Sequence, residues 1–431
     1  MKVTMVGTGY VGLVSGVCLA DFGNDVILLD ISKPRISALR KGLVPIYEPG
    51  LKELLHKNLK AGRLDFTLDK SHAVRDSDII FICVGTPPLA NGDADMSYIF
   101  SAAEDIAKNI NSYKVIVNKS TVPIGTAERV KRHIRQVNPG AQFDVVSNPE
   151  FLREGAAVKD FQNPDRIIIG TKSKKARELL EQLYKPVSRI GRPIMFTDAK
   201  SAELIKYASN SMLAARISFM NEISHLCEAV GADIKEVARG MGLDTRIGPR
   251  FLQAGIGYGG SCFPKDIKAL AHTLEKLGLT SNILRAVDYV NERQKRSILP
   301  KLKKELGDLD GKNIAIWGLS FKPRTDDMRE APSLVVIDQL KHEYANIRAF
   351  DPIAMRNAKK AIDGIELSKD MYEALRDADA LVILTEWDDF RSPDFARMKS
   401  LMRNRLIFDG RNIYDRLGLE SIGFRYYGVG R

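Results

Sequence analysis

KVTMVGTGYVGLVSGVCLADFGNDVILLD, residues 2–30, decides the fold. KVTMVG is an apolar run of strand length, GTGYVG a glycine turn, VSGVCLADFG a helical stretch, and DVILLD a second buried strand ending on Asp30. Strand, turn, helix and strand in that order make a βαβ unit. Residues 3–20 carry no charged side chain and follow Lys2, the outline of an export signal or membrane anchor. Gly7, Gly9, Gly12 and Gly16 interrupt that stretch and another strand follows, so no export signal and no membrane association are expected.

Working outward, DIIFICVG at 78–85, KVIVNKST at 114–121, FDVVSNPE at 143–150 and DRIIIG at 165–170 alternate with helical stretches. That alternation predicts a parallel sheet with helices on both faces. After about Thr197 the texture changes. Residues 198–231 have helical periodicity without internal Gly or Pro until the final Gly231, which predicts one long helix, apolar around much of its circumference and buried between domains or subunits. Helical segments continue to about 305. At 311 the α/β pattern returns with GKNIAIWGLSF, APSLVVIDQLKHEYA, NIRAFDP, DADALVILTEW and RLIFDGR, a recurrence of architecture without repetition in register. The expected fold class is α/β: two Rossmann-like doubly wound domains joined by a long central helix and a helical middle domain. The expected boundaries are 1–197 for an N-terminal Rossmann-like domain, 198–305 for a helical dimerisation domain and 306–431 for a C-terminal Rossmann-like domain.

A length of 431 residues fits about three domains at ~150 residues each. With 44% hydrophobic and 28% charged residues, the chain is globular and neither disordered nor collagenous. The net charge of +11 is scattered instead of gathered into a basic arm. It therefore favours a small anionic substrate over nucleic acid, for which no binding motif is present. Cys18, Cys83, Cys227 and Cys262 lie far apart without CxxC spacing, which indicates no disulfide framework and no metal centre, and fits a reducing, cytoplasmic setting.

GTGYVG follows a strand and opens a helix, with Asp30 eighteen residues beyond Gly12. Gly7, Gly9 and Gly12 permit the tight turn and the approach of a pyrophosphate beside Tyr10 and Val11, at a helix N-terminus whose free N–H groups favour an anion. Asp30 would bond the adenosine ribose and repel an extra phosphate, favouring NAD over NADP; Arg35 nearby works against that preference. VGTPP at 84–88, with Thr86, and KSTVPIGT at 119–126, with Ser120 and Thr121, follow successive strands, where open sheets bind ligands. NPEFLREG at 148–155 spaces Glu150 and Glu154 one helical turn apart, a pair able to position water or hold substrate, although such pairs are commonly just solvated. In GYGGSCFPKDIKAL, Pro264 marks a first helical turn and puts Cys262 at its N-terminus. That dipole, with Lys265 and Lys206, would favour a reactive thiolate; a small buried hydrophobe is the plain alternative. Lys206 and Asn210 share one helix face and could stabilise an oxyanion.

GTGYVG, KSTVPIGT, NPEFLREG, AELIKYASN, GYGGSCFPKD, FKPRTDD and TEWDDF stand in the order of the UDP-glucose dehydrogenases, which the chain resembles over nearly its whole length. The resemblance implies an NAD-dependent four-electron oxidation of a UDP-sugar's primary alcohol to a carboxylate. It implies a thiohemiacetal and then a thioester on Cys262, with Lys206 and Asn210 on the oxyanion and Asp266 as acid/base or water-positioning carboxylate. Thr121, Glu150 and Glu154 would orient water, with the division of labour among them open. For the substrate it carries over Glu150, Phe151, Leu152, Arg153, Glu154, Lys206, Asn210, Arg246, Phe251, Leu252, Gln253, Ala254, Gly255, Gly259 and Lys322, with Arg411 reaching across from a partner subunit. Lys265 and Arg329 carry over as cofactor contacts. Its sister families oxidise GDP-mannose or UDP-N-acetylhexosamines. Two other readings remain: a noncatalytic NAD-binding regulator, and a 3-hydroxyacid dehydrogenase that transfers one hydride. A homodimer or an assembly of dimers is expected, because the long helix is too apolar to be left in water.

Overall fold

The computed structural model describes residues 1–89 and 92–431. The chain forms two compact units, Met1–Ser209 and Asn210–Arg431. In the first, eight strands run β1 (Lys2–Val6), β2 (Asp25–Leu29), β3 (Leu64–Thr67), β4 (Ile79–Ile82), β5 (Lys114–Asn118), β6 (Phe143–Ser147), β7 (Ile167–Gly170) and β8 (Ile194–Thr197). Their order across the sheet is β3-β2-β1-β4-β5-β6-β7-β8.

Successive residues of each strand enter opposite cores. Val26 and Leu28, with Ile79 and Phe81, pack into one helical layer, while Ile27 and Leu29, with Ile80 and Ile82, pack into the other. Both faces are covered, so these strands read as continuous apolar runs, each fully buried aliphatic contributing roughly 1.5–3 kcal/mol. One joint departs from the expected parallel sheet: β6 and β7 pair antiparallel at Ser147 and Gly170. Residues 148–153 remain irregular and only the short helix Ala157–Gln162 follows, too little to carry the chain back over the sheet for a parallel return. The helix after the glycine turn spans Tyr10–Asp21, so half of GTGYVG already lies inside it.

The long helix, Ala199–Val230, matches its predicted extent. It begins in the first unit and continues into the second. There the helices Ile234–Gly242, Phe263–Lys276, Asn282–Gln294 and Ile298–Leu306 precede a second sheet. Its strands are β9 (Asn313–Trp317), β10 (Asn346–Phe350), β11 (Glu366–Leu367), β12 (Ala380–Ile383), β13 (Leu406–Asp409) and β14 (Arg425–Tyr427), in the order β11-β10-β9-β12-β13-β14. Every pairing is parallel, and this is the doubly wound order of a Rossmann fold. Among the described residues, no helix is long and apolar enough to cross a membrane.

Candidate active site

In the first unit the strand order reverses between β1 and β4, and the glycine turn leaves β1 at that point. Gly7 has φ +99°, and a Cβ there would meet the Cys83 carbonyl oxygen at 2.9 Å. A Cβ on Gly12 would stand 1.9 Å from the Gly7 carbonyl oxygen. Both glycines are therefore required by the protein's own packing. Gly9 differs: a Cβ there would meet no protein atom within 4 Å, so the protein's own packing does not require its smallness and the space beside it is open to a ligand. The helix Tyr10–Asp21 has no side-chain cap and no acidic residue in its first turn, leaving its N–H groups for a diphosphate. Asp30 completes the set at the end of β2. Burial alone would raise its pKa, but the Thr8 hydroxyl, the Ser32 and Thr8 amides and Arg35 together hold it below the ordinary range. Arg35 pairs with it at 3.4 Å, which restrains that guanidinium. These features fit NAD.

The glycines yield a paired prediction. Gly12→Ala is expected to lose about 1–3 kcal/mol of stability through overpacking, read from its urea midpoint. Gly9→Ala is expected to keep that midpoint while weakening NADH binding about tenfold, some 1.4 kcal/mol, read by fluorescence titration.

The loops after β4 and β5 are tied together: Thr86 donates its hydroxyl to the Thr121 carbonyl at 2.9 Å and Ser120 to the Val84 carbonyl at 2.7 Å. NPEFLREG is irregular over 148–153, so Glu150 and Glu154 are not stacked on a helical turn as their spacing suggested. Glu150 is buried. It accepts the Leu152 amide at 2.6 Å and pairs with Lys206, also buried, at 3.1 Å. Phe151 lies 5.2 Å from the Lys206 ammonium and beneath Arg166 at 3.7 Å, while Arg153 pairs with Asp160 at 2.6 Å.

Two groups escaped sequence reasoning. Lys119 is buried against Asn148 Oδ1 at 3.1 Å, and burial pushes its pKa down to about 8, the nearby Cys83 and Glu150 opposing that shift and Lys206 adding to it. Glu203 on the long helix accepts the Gly125 and Ala127 amides at 2.6 and 2.9 Å and the Ser147 hydroxyl at 2.9 Å, so it ties the start of the helix Thr126–Val137 and the end of β6 to the long helix. Only the polar composition of AELIK hinted at it.

In the second unit Cys262 is the N-cap of the helix Phe263–Lys276, with Pro264 in its first turn. Of the four cysteines, none of them in a disulfide, it alone is not buried, and its sulfur lies 3.7 Å from the Ser261 hydroxyl. Gly260 at φ +84° and Gly259, where a Cβ would meet the Glu330 carbonyl oxygen at 2.3 Å, allow the loop its tight approach. One turn beyond the cysteine, Asp266 is buried and accepts Asn210 Nδ2 at 2.7 Å and Lys265 Nζ at 2.6 Å. Both groups assigned to oxyanion or cofactor are thus partly committed to Asp266.

Some of the remaining candidates gather around Arg411, which lies against Gly255 and reaches the Phe321 carbonyl beside Lys322. Phe251 adopts φ +62°, Leu252 and Ala254 are buried, Gln253 is exposed, and the Gly255 amide donates to Asn221 Oδ1 at 2.8 Å. Arg246 is exposed and pairs with Asp244, Arg329 pairs with Asp327, and Lys322 lies 5.2 Å from the Phe321 ring. Arg411, expected to reach toward a partner subunit, has its guanidinium bonded inside its own chain, to the carbonyls of Gly257, Leu384 and Phe321.

The second Rossmann sheet does not repeat the dinucleotide site. Asp351, the counterpart of Asp30 after the second strand, is fully buried and accepts six donors, among them the Leu319, Ser320, Ile353 and Ala354 amides and the Trp387 indole. No lone pair is left for a ribose.

A glycine turn open to a dinucleotide on the first sheet, and a saturated counterpart on the second, are the features of a nicotinamide-dependent dehydrogenase. Three domain models of the UDP-glucose/GDP-mannose dehydrogenase family match: the NAD binding domain over 1–188, the central domain over 200–293 and the UDP binding domain over 315–416. The chain is 50% identical to a UDP-glucose 6-dehydrogenase of Rhizobium meliloti (strain 1021), covering 100% of both. A solved UDP-glucose dehydrogenase from Pyrobaculum islandicum is 38% identical with a TM-score of 0.93, covering 100% of this chain and 97% of that one. A UDP-D-ManNAc dehydrogenase from Pyrococcus horikoshii is 28% identical with a TM-score of 0.88, covering 100% and 99%. The chain belongs to the UDP-glucose/GDP-mannose dehydrogenase family and is an NAD-dependent oxidoreductase.

Proposed function

We propose that the protein oxidises UDP-glucose to UDP-glucuronate in two successive oxidations through a covalent adduct on Cys262. The observation that carries this reading is the partly exposed thiol at the start of the helix Phe263–Lys276, with Asp266 one turn beyond it. A helix N-terminus favours the thiolate, the competent nucleophile. NAD supplies the hydride acceptor for both oxidations. Cys262 adds its sulfur to the aldehyde carbon, giving a thiohemiacetal; the second oxidation leaves a thioester, and water cleaves it to the carboxylate and the free thiol. Lys206 and the second N–H of Asn210 stabilise the oxyanion, Asp266 serves as acid/base, and Thr121, Glu150 and Glu154 orient water. Residues 1–197 would then bind NAD, 306–431 the UDP moiety, and 198–305 would join them.

Leu204, Met212, Phe219 and Leu226 are exposed along the long helix at seven- or eight-residue spacing, which supports a homodimer or an assembly of dimers. Four cysteines, none of them in a disulfide, suit a cytoplasmic setting. Among sugar nucleotides, the 50% identity to a UDP-glucose 6-dehydrogenase favours UDP-glucose over GDP-mannose or a UDP-N-acetylhexosamine. NADH absorbance on a panel of the three tests the choice. UDP-glucose is expected to turn over fastest and to yield two NADH per sugar; one NADH would point to simple alcohol oxidation instead, and faster turnover of another sugar would reassign the substrate.

A further inference from the structure

Glu48 lies between the helices Lys33–Arg40 and Leu51–Lys60 and is 6% exposed. Its Oε2 accepts the Tyr10 hydroxyl and, at 2.7 Å, the Gly155 amide. Its Oε1 accepts the Ala157 amide at 2.7 Å and the Val158 amide at 3.4 Å. The Gly155 amide also lies 3.2 Å from the Tyr10 hydroxyl oxygen, which accepts from it. Tyr10 is the first residue of the helix that opens the glycine turn, and Gly155 directly follows Glu154. One carboxylate and one phenol therefore bridge two segments 145 positions apart in sequence. Burial chiefly, then Glu48, drives the Tyr10 pKa far above the ordinary phenol range, so the hydroxyl stays a donor to the carboxylate. Four protein donors fill the lone pairs of this buried carboxylate, so its influence on any ligand passes through the groups it holds.

We propose that Glu48, acting with Tyr10, is a positioning residue that couples the dinucleotide turn to the loop 150–155, so that each ligand raises the affinity for the other. The coupling rests on the assignment of that loop to the sugar nucleotide under Proposed function. A cofactor that fixes the start of the helix Tyr10–Asp21 fixes the phenol, the carboxylate and the Gly155 amide with it. Linkage makes the effect reciprocal. In Glu48→Gln an amide N–H₂ replaces one acceptor oxygen and faces backbone N–H groups, donor against donor, so that arm of the bridge opens.

The test is NADH fluorescence titration of the full-length protein, with and without saturating UDP-glucose, for wild type, Glu48→Gln and Tyr10→Phe. In the wild type UDP-glucose is expected to raise NADH affinity about fivefold or more, the lower range of measured couplings. In both variants that ratio is expected to fall to about one. A purely structural role would weaken the two affinities in parallel and preserve the ratio, which overturns the inference. A wild type that oxidises UDP-glucose with a ratio near one also overturns it. A wild type that neither oxidises UDP-glucose nor responds to it removes the functional reading and the coupling together. Should Glu48→Gln not fold, Tyr10→Phe removes a single hydroxyl and carries the same comparison.

Discussion

Cys262→Ser is expected to abolish net formation of UDP-glucuronate, with kcat falling on the order of 10³-fold or more. A serine hydroxyl at the same helix start remains un-ionised near neutral pH, so the aldehyde carbon meets no competent nucleophile and no thioester forms. On the proposed route the first oxidation does not need the sulfur. A single turnover should therefore release no more than one NADH per sugar and leave UDP-glucose affinity within a few fold of wild type. Rapid-quench chromatography of the sugar product, run beside NADH absorbance, separates the two oxidations. Acid formed by the serine variant at the wild-type rate would remove the covalent route. The same experiment distinguishes the cysteine's two possible roles, because a merely packed side chain would show its loss in the unfolding midpoint and not in product identity.

Local chemistry made half of this site readable. The turn at Gly7 to Gly12 opens a helix and the cysteine before Pro264 caps one, as local glycine and proline chemistry predicts, although Gly7 and Gly259 also pack on distant carbonyls. What escaped depends on distant partners. DRIIIG reads as a buried strand whichever way it runs, because both faces of the sheet are covered; its reversal against β6 follows from the path of 148–166. NPEFLREG misled for a related reason: a four-residue spacing pairs carboxylates only on a helix, and the actual partner of Glu150 is Lys206, 56 residues away. Glu48 before Pro49 and Gly50 has the composition of a solvated loop, and Glu203 that of an exposed first helical turn. Each is buried because backbone N–H groups from elsewhere converge on it.

Lys206→Met should separate stability from catalysis at the buried pair. The Lys206 and Glu150 side chains are 4% and 7% exposed and 3.1 Å apart, so deleting the ammonium strands a largely buried carboxylate without its counter-charge. Breaking such a pair costs about 3–5 kcal/mol. Removing both charges costs much less, since the desolvation penalty disappears with them. The double variant Glu150→Gln, Lys206→Met is therefore expected to recover most of the lost stability. Activity should not follow. If Lys206 stabilises the oxyanion, its loss costs about 10²–10³ in kcat, and no repacking of residue 150 restores a positive charge. Urea midpoints and kcat for the wild type, the two single variants and the double variant supply the cycle. Recovery of both quantities in the double variant would reduce Lys206 to a counter-ion for Glu150. Recovery of stability alone leaves the ammonium its part in the chemistry, four residues before Asn210 on the same face of one continuous helix.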